Sequence, residues 1–181
     1  MKKKIITFGA SNSKTSINKK LAVFAANQLS GTTTQVLDLN DFELPLYSID
    51  LQREIGIPEN AIAFHKAIKN SDGIVISLAE YNGLHTAAFK NLWDWTSRID
   101  NMNIWHNKPM LLLATSPSRR PESNVMKVSK QLFPHFGANI IADFQLPSFQ
   151  HTFLDGEIVD PEFKKQFKDQ LEKFQEFLNQ T

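Results

Sequence analysis

The chain predicts a doubly wound α/β fold, with a parallel five-stranded sheet covered by helices on both faces. Three observations carry this. Short β-rich runs alternate with stretches of helical periodicity along the whole chain. Two of those runs, at 72–78 and 109–116, are apolar almost throughout, as strands buried on both faces must be. Cysteine is absent, which excludes disulfides, thiolate metal sites and iron–sulfur clusters, so the core must rest on packing.

The first strand spans 4–8 and stops at Gly9. Ile17, Leu21, Phe24, Ala25 and Leu29 then recur at helical spacing, and Gly31 closes that helix as a residue free to take positive φ. TTTQVLDL at 32–39, rich in β-branched residues, reads as the second strand. Residues 40–58, with Pro45 and Pro58, read as a loop. Ala61, Phe64 and Ile68 mark a short helix opened by Pro58. After the third strand at 72–78, Ala88, Leu92, Trp95 and Ile99 share one helical face. The fourth strand, 109–116, leads past Pro121 into a helix carrying Val125, Val128, Leu132 and Phe136. ANIIADF at 138–144 is the fifth strand. The last helix has Asp160 as its cap and Pro161 in its first turn. Its stripe of Phe163, Phe167, Leu171, Phe174 and Leu178 reads as a face packed on a sheet, not as an aromatic cofactor box. With no repeat, linker or composition break, residues 1–181 are expected to form one domain.

Composition narrows the function classes. Hydrophobic residues make up 41% and charged residues 22%, which sets disordered and fibrous proteins aside. The formal net charge of +1 gives no reason to expect nucleic acid, and Lys2, Lys3 and Lys4 read as a solvated strand entrance. No apolar run approaches the roughly 18 residues needed to cross a bilayer. The apolar stretch after the basic start is also too short for a signal peptide. A soluble, cytoplasmic protein without membrane partners is expected.

In an open parallel sheet, ligands bind beyond the carboxyl ends of the strands, where strand order reverses. That places weight on the loops after strands one, three and four. The first, GASNSKTSIN, crowds Ser11, Asn12, Ser13, Thr15, Ser16 and Asn18 into a turn that opens a helix. A helix N-terminus presents unpaired N–H groups and a positive dipole end, which suits phosphate. Capping alone needs one such residue, so the crowding favours a phosphate site. The G-x-G-x-x-G dinucleotide pattern is absent. Lys14–Thr15 follows Gly9 one residue short of a triphosphate loop, with Ser13 in place of its second glycine. The second loop holds Glu80, Tyr81, Asn82 and Gly83, a mixture suited to a flat aromatic ligand with polar edges; Asn-Gly is equally a common turn pair. The third brings Thr115, Ser116, Pro117, Ser118, Arg119 and Arg120, either at a ligand edge or as a solvated loop. The five histidines form no paired metal motif, and His85 reads as a surface residue at a helix start.

Together these loops resemble the NADPH-dependent FMN reductase family of flavodoxin-like proteins, which includes quinone, azo-dye and chromate reductases. The family's G-S-x-R-x-x-S-x-N motif appears as Ser11 to Asn18 after Gly9-Ala10. P-E-Y-N-G appears as Ala79-Glu80-Tyr81-Asn82-Gly83, followed by FKNLWDWTSR at 89–98. The KP-strand ending S-T-S-P-G-G appears as Lys108-Pro109 through Thr115-Ser116-Pro117-Ser118, and the stretch from Asp38 to Pro45 also fits. The resemblance implies a three-layer flavodoxin-like sandwich with strand order 2-1-3-4-5. It implies that Ser11, Ser13, Lys14, Ser16, Ile17 and Asn18 hold the phosphate of FMN. Glu80, Tyr81, Asn82 and Gly83 would line the isoalloxazine ring, with Thr115, Ser116 and Pro117 at its other edge. It further implies NADPH or NADH as electron donor, a small acceptor such as a flavin or quinone, and a homodimer or homotetramer. Trp93 and Trp105 could serve that interface, though buried core is the simpler role. Ser13 stands where the family has arginine, Ala79 where it has proline, and Ser118-Arg119 where it has two glycines.

In such a protein the flavin carries the chemistry and the chain positions it. No side-chain acid or base is required, and Glu80 reads as a wall residue. Two rivals remain from other classes: an electron-carrier module that binds flavin without nicotinamide turnover, and a flavin-free phosphate-binding domain. Balanced charge argues against a carrier, which would show an acidic face to its partners.

Overall fold

The structure is a computed structural model that describes residues 2–120 and 123–180. Its centre is a parallel sheet of five strands: β1 (Lys3–Gly9), β2 (Thr32–Val36), β3 (Gly73–Leu78), β4 (Pro109–Thr115) and β5 (Asn139–Leu146). They lie in the order β2-β1-β3-β4-β5, as expected. The order reverses between β1 and β3, so the loops following those strands face each other across the sheet's carboxyl edge.

Seven helices surround the sheet among the described residues: α1 (Ile17–Asn27), α2 (Ile49–Ile55), α3 (Glu59–Lys69), α4 (Ala87–Thr96), α5 (Asn124–Leu132), α6 (Phe149–Thr152) and α7 (Pro161–Gln180). Alternation along the strands divides the core in two. Ile5, Val75, Leu111 and Leu113 point to one face, where Leu21 and Ala25 of α1 and Phe167, Phe174 and Leu178 of α7 cover them. Ile6, Ile74, Ile76 and Leu112 point to the other, under Phe64 and Ile68 of α3, Phe89 and Leu92 of α4 and Val125 of α5. Every residue of β3 and β4 is buried, which is why those segments are apolar without alternation. Trp93 and Trp105 both lie in this second core, around Phe133. Each large side chain so buried contributes roughly 1.5–3 kcal/mol.

The structure departs from the expected elements at several ends. β2 stops at Val36 because Leu37 and Leu39 turn into the core, and the Asp38 carboxylate takes the Asn40 N–H to start a short 3-10 turn, Leu39–Phe42. The expected loop 40–58 contains that turn and α2, which is capped by Ser48 and closed by Gly56 at φ 75°. The α2 pattern was illegible because the helix buries no residue: Ile49 and Ile55 are exposed. α1 ends at Asn27, so Gly31, at φ 68°, opens β2 instead of closing the helix. Ile99 lies beyond α4, and Phe136 lies in a separate 3-10 turn, Phe133–Phe136. Residues after β5 form α6 and a hairpin pairing Phe153–Leu154 with Glu157–Ile158. Pro58 caps α3 from outside the helix. Asp160 does cap the last helix, its carboxylate accepting from the N–H groups of Glu162 and Phe163. Pro121, expected just before α5, lies outside the described residues.

Gly9 is required by close approach. A Cβ there would sit 2.4 Å from Lys19 N and 2.8 Å from Lys19 Cα, both backbone atoms of α1. Gly9→Ala must therefore push α1 off the end of β1. The expected loss is about 2–3 kcal/mol, read as a lower urea midpoint with an unchanged denaturant slope.

Candidate functional site

The turn from β1 into α1 is built by its own short side chains. Ser11 Oγ accepts the Ser13 N–H at 3.1 Å, and Ser16 caps α1 by accepting the Lys19 N–H at 3.1 Å. The Ser16 N–H returns to the Ser13 carbonyl. These contacts aim the first turn of α1 at open space. Among the described residues, the backbone N–H groups of Ile17 and Asn18 meet no protein acceptor. That is the arrangement that receives an anion at a helix N-terminus. The loop carries no carboxylate from Gly9 to Asn18. Lys19 is already paired with Asp38, whose carboxyl it holds below its ordinary value, leaving exposed Lys14 as the nearer free-standing cation of the turn.

Asn18 is the keystone of this corner. It is buried, and its amide reaches two other strands. Its Oδ1 accepts from Ser77 Oγ at 2.7 Å and from the Thr115 N–H at 3.0 Å, while its Nδ2 donates to the Thr115 carbonyl at 3.1 Å. Both ends of the amide are thus committed within the protein. Thr115 is equally committed, since its Oγ1 donates to the Leu146 carbonyl at 2.6 Å. Ser77 had no signal in the sequence beyond being a polar residue in an apolar strand, and that oddity could have marked it.

The second loop is a tight hairpin in which Glu80–Tyr81 pairs with Leu84–His85. Asn82 and Gly83 both have positive φ, 53° and 84°, as a two-residue hairpin turn demands. Glu80 Oε2 accepts the Val125 N–H at 3.0 Å, tying the hairpin to the start of α5. Thr86, another residue that sequence reasoning passed over, caps α4 and donates from its Oγ1 to the Ala10 carbonyl at 2.9 Å. The hairpin is therefore anchored to the first loop and to α5 together.

A cavity of about 210 Å³ lies between the three loops, lined by Ser11, Ser13, Ser16, Ile17 and Asn18 on one side and by Glu80, Tyr81, Thr115, Ser116 and Pro117 on the other. A second, of about 320 Å³, shares Glu80, Thr115, Ser116 and Pro117 with it and continues to Arg120 and Gln145. Ten of the thirteen residues expected at a ligand thus converge on one cleft. Lys14, Asn82 and Gly83 are outside its lining: Lys14 faces a different groove, beside α1, and the turn pair sits at the tip of the hairpin. Tyr81 is 54% exposed at the cleft's edge.

One expectation about a histidine is corrected. His85 is not a free surface residue but is partly buried. Its Nε2 lies 2.7 Å from Oγ of Ser129, and its ring packs against Phe89, Trp93 and Phe133. Burial, with Lys90 adding to it, pushes its pKa down to about 4. Although the histidines form no paired motif in the sequence, His65 and His106, far apart in the chain, meet with their Nε2 atoms 2.9 Å apart.

A family model described as NADPH-dependent FMN reductase matches residues 3–151. A 2-hydroxy-1,4-benzoquinone reductase of a Burkholderia species is 36% identical over 102 residues, covering 56% of this chain and 54% of that protein. The chain therefore spans about half the length of the first curated relatives it matches. An NADPH:quinone oxidoreductase of Arabidopsis thaliana is 29% identical over 153 residues, 81% of this chain and 75% of that one. Among solved structures, the flavoenzyme NAD(P)H:(acceptor) oxidoreductase FerB from Paracoccus denitrificans superposes with a TM-score of 0.78 at 23% identity, covering 98% of each chain. At that identity the likeness establishes the fold, which is flavodoxin-like.

Two outcomes are expected from this geometry. Asn18→Ala strands the Ser77 hydroxyl and both backbone groups of Thr115, costing about 2–4 kcal/mol. Ser77→Ala, which removes one bond and leaves the others, costs about 1 kcal/mol; denaturant titration of both variants checks the ranking. His85 binds a proton less readily folded than unfolded, so its contribution to stability is complete above pH 6.5 and is lost as pH falls toward 4. His85→Phe should flatten the stability profile across that window by about 2 kcal/mol relative to the parent, as read by thermal melts at each pH.

Proposed function

The chain belongs to the NADPH-dependent FMN reductase family, and from that premise we propose that it is an FMN-dependent NAD(P)H oxidoreductase, a single flavodoxin-like domain across residues 1–181. The observation that carries this is the convergence of a serine-rich helix N-terminus with the loops after β3 and β4 on one cleft. The donor set fits the group. Ser11, Ser13 and Ser16 surround the free N–H groups of Ile17 and Asn18 at the end suited to phosphate. The space between Tyr81 and Pro117 suits a flat ring. Bound FMN would supply the chemistry, accepting hydride from the nicotinamide and passing it on.

The protein's part is positioning. Glu80, its carboxylate spent on the Val125 N–H, fixes the hairpin wall of the cleft. Asn18 holds the phosphate turn at a set distance from Ser116 and Pro117 through Thr115. Thr86 keeps the hairpin from swinging away from the first loop. No ionisable side chain of the lining is needed to move a proton. Lys14 stands outside the lining and adds a positive potential to the phosphate end in place of the family arginine, where this chain has Ser13. Arg120 at the cleft and Arg119 beside it favour NADPH over NADH, since a guanidinium matches a phosphate. Relatives named as quinone reductases support a quinone as the acceptor. A cytoplasmic homodimer or homotetramer completes the reading; exposed Leu46, Ile49 and Ile55 offer apolar surface for such an assembly.

The test begins with the visible spectrum of the purified chain and an FMN titration. Binding with flavin absorbance is expected, and an absence of binding sinks the proposal. Anaerobic mixing with NADPH and then NADH should bleach the flavin, faster with NADPH; a flavin that stays oxidised with both points to a carrier. Replacing Ser11 and Ser16 together with Ala should weaken FMN binding by roughly 10-fold or more, since the two side-chain bonds that hold the turn's N–H groups in place, each worth on the order of 1 kcal/mol, go with them. The circular dichroism spectrum should not change. Unchanged affinity would move the phosphate elsewhere.

A further inference from the structure

A second cluster of chemistry-bearing side chains lies at the opposite edge of the sheet from the cleft. His65 is on α3, and His106 and Asp100 are in the connection between α4 and β4, which enters the sheet at Pro109, the amino end of its strand. The cleft lies at the carboxyl ends. His65 is buried, and the side chain of His106 is almost as well covered. Their Nε2 atoms face one another at 2.9 Å, with ring centroids 4.5 Å apart and planes inclined at 66°. Asp100 lies on the solvent side, with Oδ2 3.9 Å from Nδ1 of His106 and its side chain 45% exposed. One potential ligand atom from each of the three lies within 4.8 Å of the others.

We propose that His65, His106 and Asp100 form a binding site for a divalent transition cation of the zinc class. Two imidazole nitrogens and one carboxylate oxygen are the donor types such an ion selects over magnesium or calcium. Zinc–nitrogen distances of about 2.0–2.1 Å place two tetrahedral ligands about 3.3 Å apart. The present gap of 2.9 Å reaches that with a small rotation of the rings. Lys69 lies near both rings and Lys108 near His106. Asp100 offsets those two cations when the metal enters, and its exposure leaves a fourth position open to water. The ion would tether α3 to the strand entrance of β4, a join otherwise made by the His65–His106 hydrogen bond and the packing around it. The site stands independently of the flavin reading.

The experiment uses the tag-free full-length chain stripped with chelator and titrated with zinc chloride by calorimetry and with cobalt(II) by absorption. One equivalent should bind, cobalt should give the intense visible bands of a four-coordinate site, and zinc should raise the melting temperature. His65→Gln and His106→Gln should each lose all three signals. Asp100→Asn should weaken binding, and His135→Gln, a histidine elsewhere on the chain, should leave it unchanged. No stoichiometric binding by the parent protein overturns the proposal, leaving a hydrogen-bonded histidine pair. So does binding that survives both histidine variants. Should His65→Gln fail to fold, the parent cobalt spectrum and His106→Gln decide.

Discussion

The buried amide of Asn18 is the contact on which the rest of the cleft depends. Three strands of a parallel sheet end side by side, and nothing in sheet pairing alone dictates how the loops beyond them are spaced. Asn18 sets that spacing by accepting from Ser77 and Thr115 and donating back to Thr115. In a dry corner such bonds are strong, and leaving any of them unmade is costly. The residue sits in the first turn of α1, so the same three bonds also fix where the helix N-terminus points.

From that constraint the division of labour follows. Side chains that look like ligand donors in the sequence are partly occupied by the protein: Asn18 joins strands, Thr115 holds β5, Ser16 caps α1 and Glu80 holds α5. What remains for a phosphate is mostly backbone N–H, with hydroxyls around it. Under the proposed reading, these amides and hydroxyls would hold the phosphate without the arginine that Ser13 replaces. A fixed array of amides and a helix dipole needs no reorganisation to receive an anion, whereas a guanidinium on a flexible stem must be ordered first.

The clefts and clusters also differ in how they could be read beforehand. The hydroxyl-rich loop and the Glu80–Gly83 segment were legible because each is contiguous and each sits just after an apolar run that ends in the right place. Thr86 and Ser77 were not, because single polar residues near strand ends have many ordinary uses. His85 reads as exposed because it follows a turn, and only the packing of Phe89, Trp93 and Phe133 around it reveals its partial burial. His65 and His106 carried no motif at all, since their meeting depends on α3 lying against the entrance to β4.

By itself, the sequence determined the layer architecture, the strand order through its family resemblance, and the three loops that form the cleft. Those properties follow from local periodicity and from the rule that parallel strands deliver their loops to one edge. The extent of β2, the existence of α2, the separation of α1 from Gly31 and the pairing of the histidines were decided only by tertiary structure. Each turns on which surface a segment finds to pack against: Leu37 and Leu39 leave the sheet to enter a core, while α2 forms without burying anything and so leaves no apolar stripe to read. Local pattern records what a segment prefers, and contacts distant in sequence decide what it meets.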